Sequence, residues 1–180
     1  ILILSILGII LMLVIPLNLL PYLRKGERLR AVPWLYFFVI GVAFMAAEIV
    51  LMQKYSLFIG ASVYSIATVL LTLLLSAGMG SRYADSLKPG LVFGGIALGL
   101  VFHAFVAGAL TDALASLVLP VRIAITAALI APVGFLMGIP FPKGALRVGP
   151  LVDWGFAVNG AASVLGGTAV LLVAFNAGFA

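Results

Sequence analysis

The chain has 180 residues, 65% of them hydrophobic and 8% charged, with a mean hydropathy of +1.35, whereas soluble domains run near half apolar and about a quarter charged. This balance excludes a soluble enzyme and predicts an all-α, polytopic integral membrane helical bundle, with the lipid bilayer as its first partner. The absence of cysteine excludes a disulfide framework, a thiolate zinc site and a cysteine nucleophile. The net charge of +5 comes from ten bases set between apolar runs, not from the continuous stripe that nucleic acid requires.

A helix needs about 20 apolar residues to cross a bilayer core. Charge-free runs of that length predict six spans in one transmembrane domain covering 1–180, at about 1–20, 34–52, 63–80, 90–110, 117–138 and 156–175. The first lies in a charge-free run that ends before Arg24. It lacks the basic start and small-residue cleavage site of a signal peptide. Because the sequence opens on Ile1 without an initiator methionine, it is expected to be part of a longer chain. The second span is interrupted only by Glu48. The third ends in Gly78-Met79-Gly80, whose likeness to a dinucleotide-binding turn fails because no strand precedes it. The fourth carries His103 and the pair Gly95/Gly99; the fifth carries Pro120, Arg122, Pro132 and the pair Gly134/Gly138. Glycines four apart let helices approach closely, and Pro132 is expected to kink the fifth helix while Arg122 snorkels to the interface. The following Gly138-Ile139-Pro140-Phe141-Pro142-Lys143-Gly144 is expected to be an extended, shaped turn, since two prolines two apart do not continue a helix.

With six spans, the first, third and fifth connections hold Arg24, Lys25, Arg28 and Arg30, then Arg82 and Lys88, then Lys143 and Arg147. The opposite side has Lys54, with Arg122 just inside its helix. The positive-inside rule therefore makes the basic loops cytoplasmic and the expected location the inner (plasma) membrane.

Glu48 is the most informative side chain, because a charge at helix centre costs roughly 2.5–3.5 kcal/mol on insertion scales and calls for a partner or a cavity. Three readings stand open: pairing with Lys54 or Arg122, binding of an amine, cation or proton, and packing as a neutral carboxyl. Asn159 and Ser163 share one face of the sixth span beside Gly160 and Gly166. They serve either as interhelical glue or, with Glu48 and Gln53, as ligand-binding groups in one cavity. His103 has no second histidine and reads as a buried neutral imidazole, a proton relay or an axial ligand. No catalytic constellation and no metal-ligand cluster emerges.

Tyr36-Phe37-Phe38 leading to Gly41 and Glu48, then Gln53-Lys54, Gly60, Tyr64 and Gly78-Met79-Gly80-Ser81, resembles the membrane domain of bacterial spermidine-synthase-like (polyamine aminopropyltransferase-like) fusion proteins. The structural motif Gly138, Pro140, Phe141 and Pro142, then Trp154, then Asn159-Gly160 with Ser163 and Gly166, is similar to that family's later motifs. The resemblance runs from about Trp34 to Phe179. It implies a membrane domain tied to a soluble Rossmann-like partner similar to aminopropyltransferases and methyltransferases, which use S-adenosylmethionine or its decarboxylated form. This chain contains no such domain, so no cofactor is expected in it. A cytoplasmic domain joined directly before Ile1 would conflict with the loop charges, which place that end outside.

These readings give three expected functions: a membrane module that anchors such a partner, a binding or transport bundle built on Glu48, and an accessory subunit of a larger membrane complex.

Overall fold

A computed structural model describes Leu7, Gly8 and residues 29–177, with side chains described to Leu171. Among the described residues every regular element is helical. The elements are α1 (Ala31–Ile59), α2 (Val63–Ser81), α3 (Pro89–Phe105), α4 (Ala107–Ala113), α5 (Leu119–Met137), α6 (Pro140–Val148), a 3₁₀ turn (Gly149–Leu151) and α7 (Val152–Ala177).

Three helical stretches are long and apolar enough to cross a membrane: Ala31–Ile59, Val63–Ser81 and the run Leu119–Leu171, in which α5, α6, the turn and α7 follow one another. The α3–α4 pair passes the same test as a fourth, bent by 46° at its break. Six separate spans are not shown. The expected 1–20 span lies outside the described residues, the fourth is broken rather than continuous, and the fifth and sixth fall within one run. The second is longer than expected, because no proline or glycine cluster stops α1 before Gly60. There the Gly60 N–H bonds the Ser56 carbonyl at 3.0 Å, and a φ of +108° that favours glycine ends the helix.

The described residues divide into two compact units, one formed by the chain up to Ala46 and from Lys143 onward, the other by Ala47–Pro142. In the second unit, α2 and α5 form the most extensive helix pair. The buried positions of α2 are Ser65, Val69, Leu73, Ser76 and Gly80. Those of α5 are Thr126, Ile130, Val133, Gly134 and Met137. Each set follows the three-and-four spacing of one helix face. Their polar members are internally satisfied: Ser76 donates to the Thr72 carbonyl at 2.6 Å and Thr126 to the Arg122 carbonyl at 2.9 Å. Both predicted glycine pairs lie at helix contacts. A Cβ on Gly134 or Gly138 would collide with Ser76 or Ala77 of α2. A Cβ on Gly95 would come within 2.7 Å of Leu136, and one on Gly99 within 3.0 Å of Val133. Close approach, not flexibility, explains these glycines.

The Gly138–Lys143 segment corrects the expected extended turn. Gly138 is right-handed helical, with φ −73° and ψ −13°, and α6 starts at Pro140. The helix is broken only at Gly138–Ile139. Pro140 and Pro142 then occupy the first turn of a new helix, where an N–H has no intrahelical acceptor, so their missing donors cost nothing. A small core beneath the break packs Ala84, Val92 and Ile139 with Leu87, Ile96, Phe135 and Leu136.

Candidate functional site

The residues singled out from the sequence fall in both units. Asn159 and Ser163 belong to the first, Glu48 and Gln53 to the second.

In the first unit, α1 and α7 are fastened along one stripe. Phe37, fully buried, sits where a Cβ on Gly155 would be 2.8 Å from its ring and one on Gly144 3.1 Å from it. One turn further on α7, the Asn159 amide donates to the Phe37 carbonyl at 3.1 Å. The Ser163 hydroxyl is shared between the Asn159 carbonyl at 2.8 Å and the Gly41 carbonyl at 3.4 Å; with one proton, the shorter bond within its own helix dominates. A Cβ on Gly166 would lie 2.8 Å from the Val42 backbone. Asn159 thus holds a backbone carbonyl of α1, while Ser163 bonds chiefly within α7 and reaches the Gly41 carbonyl only at 3.4 Å. Gly160 differs from its neighbours: it is exposed, and a methyl group there would meet nothing within 4 Å, so space does not require glycine at that position. Asn159→Ala is expected to cost about 0.6 kcal/mol, the average for an interhelical hydrogen bond in a membrane, and Ser163→Ala less, as read by unfolding in mixed micelles.

In the second unit, Glu48 lies half-buried on α1, three and seven residues before the buried Leu51 and Tyr55. Of the three readings of Glu48, pairing with Lys54 or Arg122 is not present among the described residues: both cations are engaged with backbone carbonyls. Lys54 Nζ donates to the His103 carbonyl and approaches the Ala104 carbonyl at 3.5 Å. Arg122 donates to the Phe58 carbonyl at 2.9 Å. These acceptors lie in the last turns of α3 and α1, where carbonyls lack intrahelical donors and the helix dipole favours a cation. The two bases set apart from the basic loops are therefore C-terminal caps. Gln53 is half-buried, and its carbonyl accepts the Ser56 hydroxyl at 2.8 Å.

Beside Lys54 a second polar contact crosses between helices. The Tyr55 hydroxyl and His103 Nδ1 are 2.9 Å apart, their rings edge-on at 5.7 Å. Tyr55 is fully buried and His103 only 3% exposed. The other imidazole nitrogen, Nε2, is buried without a hydrogen-bond partner. Arg122 Nε is likewise buried and unpaired. Val106, where α3 gives way to α4, adjoins this cluster, and Gly108 in the first turn of α4 would place a Cβ 3.7 Å from Lys54 Nζ.

The sequence marks His103 but not Tyr55, which is one of five tyrosines with nothing in its local pattern to distinguish it. The signal available is its position seven residues after Glu48, two turns along the same face. Among the described residues no group of three or more metal-ligating side chains is present. No protein-family model, curated protein or solved structure matches the chain.

Proposed function

We propose that the chain is a six-span membrane module that anchors, or assembles with, a soluble aminopropyltransferase-like or methyltransferase-like partner, its basic loops facing the cytoplasm. The six-span count adds the 1–20 stretch and separates 117–138 from 156–175 at the Pro140 break. The observation that carries this reading is what the resembling motifs do. Phe37, Gly41, Gly144, Asn159, Ser163 and Gly166 interlock α1 with α6 and α7 through backbone hydrogen bonds and close approach. Residues engaged in this way build a scaffold. They do not present free polar groups to a ligand.

The test is fractionation of transferase activity in cells carrying the intact protein and its partner. Deleting residues 1–180 is expected to move a transferase activity from the membrane fraction to the soluble fraction. Activity that stays with the membrane after deletion contradicts the anchor.

A second reading, a binding or transport bundle for an amine, cation or proton, is favoured by one observation: Glu48 has neither Lys54 nor Arg122 as a counter-charge. On that reading Glu48→Gln abolishes uptake or binding while the protein still inserts, and unchanged uptake excludes it.

A further inference from the structure

The Cζ atom of Phe37 lies 3.1 Å from a Cβ built on Gly144 of α6 and 2.8 Å from one built on Gly155 of α7. Along one continuous helix, positions eleven apart would be separated by about 16 Å. The two helices therefore fold against each other across the 3₁₀ turn, where Gly149 adopts a φ of +52°. This fold-back leaves α6 beside the first two turns of α1, where the Gly144 Cβ would also meet the Tyr36 ring. Arg30 directly precedes α1, and Phe37 lies seven residues, or about 10 Å, beyond it. With Arg30 at headgroup level, that is the depth at which an amphipathic helix rests between headgroups and acyl chains.

We propose that α6 is such an interfacial helix and that its basic ridge, with Arg30, binds the headgroups of anionic phospholipids. Where α1, α2, α5 and α7 are apolar nearly all round, α6 carries distinct ridges of residues four apart. Pro140, Gly144 and Val148 form the inner one, the first two buried. Pro142 and Leu146 form an outer apolar ridge, with Leu146 59% exposed. Lys143 and Arg147 form a basic ridge about 100° round the helix from it, with Arg147 exposed. A helix lying along the interface with its apolar ridge in the acyl chains turns such a basic ridge towards the headgroups. Arg30 is exposed at the start of α1, and Arg147 acts electrostatically on Tyr36 in the second turn of that helix. Facing these three bases, Asp153 in the first turn of α7 is the one acid among the described residues of this unit. Arginine suits the ligand, because its planar fork of donors matches phosphate oxygens. Leu146 and, on α7, Phe156 at 60% exposure set apolar surface next to the bases. A phospholipid meets both needs in one molecule, an anionic head joined to apolar chains.

This inference rests on the membrane-module reading but not on the soluble partner, so the fractionation experiment and the following one fail independently. The chain has two tryptophans, Trp34 in the first turn of α1 and Trp154 in the first turn of α7, and both flank the site. The full chain is reconstituted into vesicles of brominated phosphatidylglycerol with unbrominated phosphatidylcholine, and into the converse mixture. Quenching of tryptophan fluorescence then reads the preference for one lipid over the other. The expected result is a preference for phosphatidylglycerol that weakens at high salt. Arg147→Gln is expected to lower it about fivefold, the factor for one base at an anionic surface, and Arg147→Lys to keep most of it. Equal quenching by the two brominated lipids overturns the proposal, as does an Arg147→Gln variant with an unchanged preference. Inorganic phosphate at matched ionic strength is expected to leave the preference intact; its loss would assign the bases to a soluble anion and overturn the lipid assignment. Because the preference is read first on the wild-type chain, an Arg147→Gln variant that failed to insert would not shield the proposal from refutation.

Discussion

Gly80→Ala is expected to destabilise the Ala47–Pro142 unit by about 1–3 kcal/mol, the range for forcing extra volume into a packed contact. The added methyl would overlap the Phe135 carbonyl and its backbone neighbours. A backbone cannot swing aside as a side-chain tip can, so α2 and α5 must separate. Gly138→Ala should behave alike, since its methyl meets the Ala77 backbone. The internal control is Gly78→Ala, two residues from Gly80 on the same helix, with nothing within 4 Å. There alanine is expected to be neutral or to stabilise by up to about 1 kcal/mol through helix propensity alone. Unfolding in mixed micelles, followed by circular dichroism, separates the two. Equal effects at positions 78 and 80 would contradict the α2–α5 packing.

Tyr55→Phe and His103→Leu should each cost about 1–3 kcal/mol, because each leaves a buried polar atom of the other without its partner. The double variant should cost less than the sum, by about 0.5–3 kcal/mol, the coupling expected of groups in direct contact. The single-variant costs exceed the average membrane hydrogen bond of about 0.6 kcal/mol because neither ring has water as a substitute partner. Tyr55 is 0% and His103 3% exposed. Strict additivity in the cycle would mean that the 2.9 Å contact contributes nothing to the fold.

Both caps show where one-dimensional reading stops. The absence of charge over long runs reveals the apolar helices, and glycines four apart reveal which faces approach closely. Those signals are local and periodic. Lys54 and Arg122 are visible as charges, and simple electrostatics offers Glu48, the acid inside a span, as their partner. The competing acceptors are helix-end carbonyls 49 and 64 residues away in sequence, and carbonyls carry no sequence signature. The break at Val106 is invisible for a related reason. Residues 103–108 include no proline, and the Lys54 cap that satisfies the interrupted helix comes from another element. At Pro140–Pro142 the signal is plain but its meaning depends on position: proline stops a helix from its interior and starts one from its first turn.

Asn159 is legible as a polar residue among small neighbours, and its role as glue follows from the 3.1 Å bond to the Phe37 carbonyl. That Phe37 fills a slot shaped by Gly144 and Gly155 is not legible. The glycines lie over a hundred residues from it, and only folding brings them together.

The most direct test of a membrane-crossing helical module uses the chain's lack of cysteine. Single cysteines placed at Ser62, before α2, and at Ser86, after it, are exposed to an impermeant thiol reagent in right-side-out and inside-out vesicles. The expected result is labelling from opposite sides, with the Ser86 cysteine, flanked by Arg82 and Lys88, reacting only from the cytoplasmic face. Labelling of both cysteines from the same face would show that Val63–Ser81 does not cross the membrane and would contradict a membrane-spanning module.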